Sequence, residues 1–110
     1  MKKTKLLVWG VLLMSLTFYL VRITNATTIT VCSSGCDYSK ISTALDNAND
    51  YDTIYVYNGT YNEHYLSINK AITIQGEHKD STIINGSGSG TDCIDAKASV
   101  TIKEVTIQNC

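Results

Sequence analysis

Leu66-Ser-Ile-Asn-Lys-Ala-Ile-Thr-Ile-Gln-Gly76 comes back, one residue shorter, as Val100-Thr-Ile-Lys-Glu-Val-Thr-Ile-Gln-Asn109. Each copy alternates strictly: Leu66 and Ile68, then Ile72 and Ile74, answer to Val100 and Ile102, then Val105 and Ile107, with Ser67, Thr73, Thr101 and Thr106 between them. A period of two with β-branched residues on the apolar phase describes half-buried strands, one face inward and one wet. One such pair of strands cannot bury its apolar face alone, whereas a second winding stacked on it can. The expected fold is therefore mainly β, a parallel β-helix wound coil on coil.

Between the copies, Thr82-Ile-Ile-Asn-Gly86 and Cys93-Ile-Asp-Ala96 are two further short strands, separated by a Gly/Ser-rich loop from Ser87 to Gly90. Upstream, Thr27-Thr-Ile-Thr-Val31 and Thr53-Ile-Tyr-Val-Tyr57 read as strands, the second with Ile54 and Val56 inward. Between these two the period changes. Ile41, Ala44, Leu45 and Ala48 fall at i, i+3, i+4 and i+7, the stripe of a short helix, with Ser39 or Asp37 placed to cap its amino end. A helix so short needs an apolar surface to lean on, and the open end of a solenoid, which requires a polar-backed cap, supplies one.

The first 26 residues form a separate unit. Met1-Lys-Lys-Thr-Lys5 is basic, Leu6 to Val21 is apolar apart from Ser15 and Thr17, and Thr24-Asn-Ala26 offers small residues for cleavage. That grammar is a secretory signal peptide over 1–26, leaving 27–110 as the exported unit. The competing reading keeps residues 6–21 as a membrane anchor, since the run is close to the minimum for a span. Removing the leader takes Lys2, Lys3, Lys5 and Arg22 with it, so the exported part is acidic. No basic stripe remains, and nucleic acid is disfavoured as a partner.

Four cysteines follow the leader: Cys32, Cys36, Cys93 and Cys110. An even number in an exported chain favours disulfides over metal. Cys32 is expected to pair with Cys36 across Ser33-Ser34-Gly35, whose glycine permits a tight turn. Cys93 and Cys110 either staple neighbouring coils or stay as buried thiols. Neither spacing is C-x-x-C and no histidine lies near a thiol in sequence, which disfavours zinc. The acids of Asn47-Ala-Asn-Asp-Tyr-Asp52 lack the glycine and distal glutamate of a calcium loop, so a solvated turn is expected and no metal or other cofactor.

Asn58-Gly-Thr60 and Asn85-Gly-Ser87 combine a tight-turn dipeptide with an N-glycan acceptor at Asn58 and Asn85. Adjacent Glu63 and His64 point to opposite faces of a strand and are poorly placed to share acid–base work. Tyr55 and Tyr57 share the outward phase, where they suit an aromatic platform for a sugar ring or, equally, packing beneath a helix or loop.

Six blocks in order resemble the opening of pectin lyase-like right-handed parallel β-helix proteins, the pectin methylesterases and surface β-helix proteins in particular. They are Asp37-Tyr-Ser-Lys-Ile-Ser-Thr-Ala-Leu45, Asp52-Thr-Ile-Tyr-Val56, Asn58-Gly-Thr-Tyr-Asn-Glu63, Ile72-Thr-Ile-Gln-Gly76, Ser81-Thr-Ile-Ile-Asn-Gly86 and Val105-Thr-Ile-Gln-Asn109. The resemblance spans Thr28 to Asn109 and implies a longer solenoid with polysaccharide bound along one sheet, of which this chain would be the amino-terminal cap and first few coils. In the methylesterase branch the catalytic glutamine and aspartates follow the block matched by Val105 to Asn109, so the resemblance assigns no catalytic residue here. The expectation is a secreted or cell-surface β-helix segment with a carbohydrate-binding or structural role and no catalysis of its own. Its alternative is the cap of a secreted polysaccharide esterase or lyase whose catalytic coils lie beyond Cys110. The expected partners are a polysaccharide or cell-surface glycan and, at the carboxyl-terminal sheet edge, further coils or a partner chain.

Overall fold

The computed structural model describes residues 25–110. The expected leader and the competing anchor at 6–21 lie outside the described residues, except that Asn25 and Ala26 are seen and are exposed.

Among the described residues, nine strands and one helix make a parallel β-solenoid of about three turns. In chain order the elements are β1 (Thr28–Val31), α1 (Ile41–Asn47), β2 (Thr53–Val56), β3 (Gly59–Asn62), β4 (Leu66–Ile68), β5 (Ile72–Gly76), β6 (Thr82–Asn85), β7 (Ile94–Ala96), β8 (Val100–Lys103) and β9 (Thr106–Gln108). Successive coils contribute β1, β2, β5 and β8 to a first sheet, β3, β6 and β9 to a second, and β4 and β7 to a third. Every pairing is parallel. Each strand is too short to stand alone, and parallel order forces its apolar side chains onto like side chains in the coils above and below.

The first sheet shows this most fully. Ile29, Ile54, Ile74 and Ile102 are register partners in one inward column, and Ile54 and Ile74 within it are wholly buried. Tyr61, Ile84 and Ile107 make the corresponding column of the second sheet. Leu66 pairs with Ile94 and Ile68 with Ala96 in the third. The three columns meet in one apolar core, which Ile41, Ala44, Leu45 and Ala48 of the helical stripe join from the amino-terminal end. The helix packs on β1, β2 and β4 and so forms the lid of that end.

Two expectations need correcting. The two copies of the repeated stretch are not stacked on each other. Val100–Lys103 lies on Ile72–Gln75, Leu66–Ile68 lies beneath Ile94–Ala96, and Ile107 partners Ile84, so it is not stacked on Ile74. The copies are offset by one strand because they begin at different sheets, and inward triplets of Ile and Val are interchangeable enough to look aligned. The second correction concerns the Asn-Gly pairs, which are not tight hairpin turns. Gly59 opens β3, and Asn85 closes β6 with Gly86 buried behind it. A two-residue hairpin reverses the chain, and no strand pair here is antiparallel.

Close stacking of coils sets a further demand at Gly76. A Cβ built there would lie 2.0 Å from the Glu104 carbonyl oxygen and 2.9 Å from Val105 Cγ2. Glu104 turns the next coil over this spot in a left-handed conformation, φ 53°. Overpacking of this kind costs about 1–3 kcal/mol. Gly76→Ala is therefore expected to lower the unfolding free energy by that amount, read by circular dichroism as a lower urea midpoint with the slope unchanged. A midpoint equal to that of the unsubstituted protein would mean that the coils are not stacked this closely.

Candidate functional site

Tyr55 and Tyr57 project from the outer face of the first sheet, two residues apart on one side of β2 and its extension, as alternation requires. Their ring centroids are 5.0 Å apart with the planes at 74°, an edge-to-face pair. Such a pair is internally favourable and forms a corner, not a single flat plane. Neither ring lies under the helix. Tyr55 stands in a row with Thr30, Gln75 and Lys103, and beside it runs a second row of four threonines, Thr28, Thr53, Thr73 and Thr101. Strand separation fixes the spacing along each row at about 4.8 Å. The result is a flat face of hydroxyl, amide and phenol groups with one terminal amine.

Five carboxylates, those of Asp37, Asp50, Asp52, Glu63 and Glu77, hold backbone amides. Glu63, which the sequence left beside His64 without a task, accepts from the amides of Ile41 (2.8 Å) and Ser42 (2.9 Å) through its two oxygens. It caps the helix from a different coil, and neither Ser39 nor Asp37 does so. The residue at the cap position is Lys40, whose side chain makes no cap bond. Asp37 instead receives the Thr30 amide and hydroxyl. Asp50 receives the Ala71 amide, and Glu77 the Asn58 amide. Parallel coils leave amides at every corner without a ladder partner, and an acid in a neighbouring turn satisfies them without further backbone.

Asp52 is the most enclosed of these, 1% exposed. Its oxygens accept from the Asn49 amide at 2.8 Å and the Thr27 amide at 2.9 Å, tying the turn after the helix to the start of β1. Those amides, Asn49 foremost and then Thr27, hold its pKa below the usual value, against the opposing effect of burial. Lys70 closes the same turn by donating to the carbonyl of Ala48.

Tyr61 lies inside the second sheet. Its hydroxyl donates to the carbonyls of Tyr57 (2.8 Å) and Val31 (3.3 Å). Burial, followed by the nearby carboxylates of Glu63 and Glu77, pushes the phenol above 10 and keeps it a donor. Tyr61 also lines a cleft of about 320 Å³ between the segment preceding the helix and β3.

The cysteines form two bridges, Cys32 with Cys36 and Cys93 with Cys110. The first closes a turn in which Gly35 takes φ +86°, open to glycine at no steric cost. The second ties the loop ahead of β7 to the segment after β9, closing a loop worth about 3 kcal/mol in chain entropy. Bridges of both kinds fit an extracellular protein. Of the two glycan acceptors, Asn58 is exposed at the rim of the cleft. Asn85 is half-buried, its side-chain oxygen accepting from the Ser87 amide and the Asn109 side chain. Among the described residues no group of acids, histidines and cysteines is gathered to hold a metal, and no helix is long and apolar enough to cross a membrane.

The capping by Glu63, the tie from Asp52 to Thr27 and the bond from Tyr61 to Val31 escaped the sequence because those partners lie about a coil away. Only the recurrence of an acid next to a strand or helix end hinted at them. In comparison with known proteins, the chain matches no family model and no curated protein.

The Asp52 arrangement has a pH signature. A carboxylate whose pKa falls on folding stabilises the fold fully above its unfolded value of 3.8 and loses that contribution as pH falls through the lower folded value. Asp52→Asn is expected to cost about 2–3 kcal/mol at neutral pH, from weakened charge-assisted bonds. It is also expected to flatten the acid limb of stability below pH 3.8, as read by thermal melting from neutral pH to pH 2. An acid limb as steep as that of the unsubstituted protein would remove Asp52 from this role.

Proposed function

We propose that this chain is an exported, non-catalytic β-solenoid module, secreted or held at the cell surface, that meets carbohydrate on its outer face. One observation carries the reading. On the flat outer face of the first sheet Tyr57, 39% exposed, stands against Tyr55 among threonine hydroxyls, Gln75 and Lys103. A sugar is apolar across its C–H face and polar at its hydroxyls, and an aromatic corner set in hydroxyl and amide groups answers both parts.

The disposition of the acids supports a role without catalysis. Glycoside hydrolysis requires two carboxyl groups flanking one bond, and here Asp37, Asp50, Asp52, Glu63 and Glu77 hold backbone amides at separate corners. The likeness to pectin lyase-like β-helix proteins leads in the same direction, toward polysaccharide along a sheet face.

A second reading makes the chain the cap of a longer assembly, either the opening of a polysaccharide esterase or lyase or a module completed by a partner chain. The two ends of the solenoid favour it. The helix seals one, whereas at the other Ile102 and Ile107 are 37% and 41% exposed. Strands β8 and β9 carry no outer neighbour among the described residues. A further coil with apolar residues in the same phase would cover both the side chains and the bare strand edges.

Affinity electrophoresis of the mature protein through gels containing soluble polysaccharides tests the first reading. At least one polysaccharide is expected to retard it, and Tyr57→Ala to weaken that retention tenfold or more with the melting temperature unchanged. Retention indifferent to Tyr57, or release of methanol or new sugar ends from the polysaccharide, would overturn it. For the second reading, sedimentation should reveal concentration-dependent association that is abolished by Ile102→Lys with Ile107→Lys. A monomer at every concentration would exclude self-association through that end.

A further inference from the structure

The three sheets do not start together. The first begins with β1, one coil before β3 begins the second. Above β3, the place that a strand of the first coil would fill is taken by the Cys32–Cys36 loop and the approach to the helix, while the helix itself packs on β1, β2 and β4. The lid thus covers the other two sheets and leaves an opening over β3, the cleft of about 320 Å³.

Its chemistry is specific. Ser39 and Lys40, from the segment preceding the helix, and Thr60, Tyr61 and Asn62 of β3 line it. The Tyr61 ring is held in place by its hydroxyl bonds to two carbonyls. A Cβ at Gly59 would sit 3.5 Å from Tyr61 Cε2, so a side chain there would enter the cleft beside the edge of that buried ring. Glu63 also lines the cleft, but its oxygens are taken by the Ile41 and Ser42 amides, and its charge opposes that of Lys40. A ligand here requires no net charge.

We propose that this cleft is a binding site for one or two units of a neutral saccharide, hydrogen-bonded by Ser39, Lys40, Thr60 and Asn62 and reaching no more than the edge of the buried Tyr61 ring. The volume lies near the lower end of the roughly 300–1,000 Å³ of small-ligand sites, which suits a short sugar and not a long chain. The lining favours sugar over an extended peptide added to the β3 edge. An added strand needs pockets for its alternate side chains, and these walls are hydroxyls, an amide and an amine. The inference rests on the carbohydrate reading given above but places its ligand at a different site, away from Tyr55 and Tyr57, so the two stand or fall separately.

Saturation-transfer NMR tests it, using neutral mono- and disaccharides at millimolar concentration with the mature protein made without N-glycans, because Asn58 sits on the rim. At least one sugar is expected to receive saturation. Gly59→Leu projects a side chain into the cleft from a backbone at φ +157°, which L-residues rarely adopt; as a folded protein it should bind that sugar tenfold or more weakly. Tyr57→Ala should leave it untouched. If Gly59→Leu does not fold, Ser39→Ala with Asn62→Ala carries the test by thinning the polar walls and should produce the same loss. Saturation that survives these changes but vanishes in Tyr57→Ala would overturn the cleft while sparing the outer face. Silence from every sugar would also overturn it, as would extended peptides that shift the β3 amides where sugars do not.

Discussion

The stacking of Ile29, Ile54, Ile74 and Ile102 in one in-register column is the interaction on which the other features depend. No strand here exceeds five residues, so none brings enough apolar surface to fold by itself. Burial becomes sufficient only when each isoleucine is covered by the coil above and the coil below. That demand explains the parallel order, since only a parallel winding returns the same side chain to the same place. It explains the helix too, because among the described residues no coil lies beneath the first and Ile41, Ala44, Leu45 and Ala48 take that part. At the far end the demand is unmet, and there Ile102 and Ile107 are open to solvent.

A stack of coils creates a second problem, and the acidic residues answer it. Each coil turns three corners, and the amides there point away from the ladders. Glu63, Asp52, Asp37, Asp50 and Glu77 each take one or two of them. Most of these bonds join residues about a coil apart in sequence, so they set one coil upon the next as well as satisfying the corner. The described residues carry more acids than bases, and these five acids are thereby engaged in structure. The outer face of the first sheet carries threonines, Gln75, Lys103 and the tyrosine pair, with Asp37 bonded to the Thr30 hydroxyl. The cleft over β3 follows from the same geometry, because a helix that lids two sheets out of three leaves the third with an open mouth.

Much of this was legible in the residues alone. The two-residue period, the change to helical spacing at Ile41, the outward phase of Tyr55 and Tyr57 and the coil-on-coil architecture follow from side-chain alternation, a local property that one chain segment carries within itself. The disulfide partners were within reach for a related reason, four cysteines allowing only three pairings. What only the tertiary structure decided is which coil lies on which, and so every relation across coils. The offset of the repeated stretch was hidden because Ile and Val triplets fit any inward position equally well, and the irregular corner lengths, absent from any local pattern, choose among them. Glu63 reads as an idle neighbour of His64 until the winding brings it to the helix amides, and Tyr61 as one tyrosine among seven until the winding buries it with its hydroxyl on the carbonyls of Tyr57 and Val31. Alternation is fixed by bonds along the chain, whereas caps, clefts and exposed ends arise from what the rest of the chain places alongside.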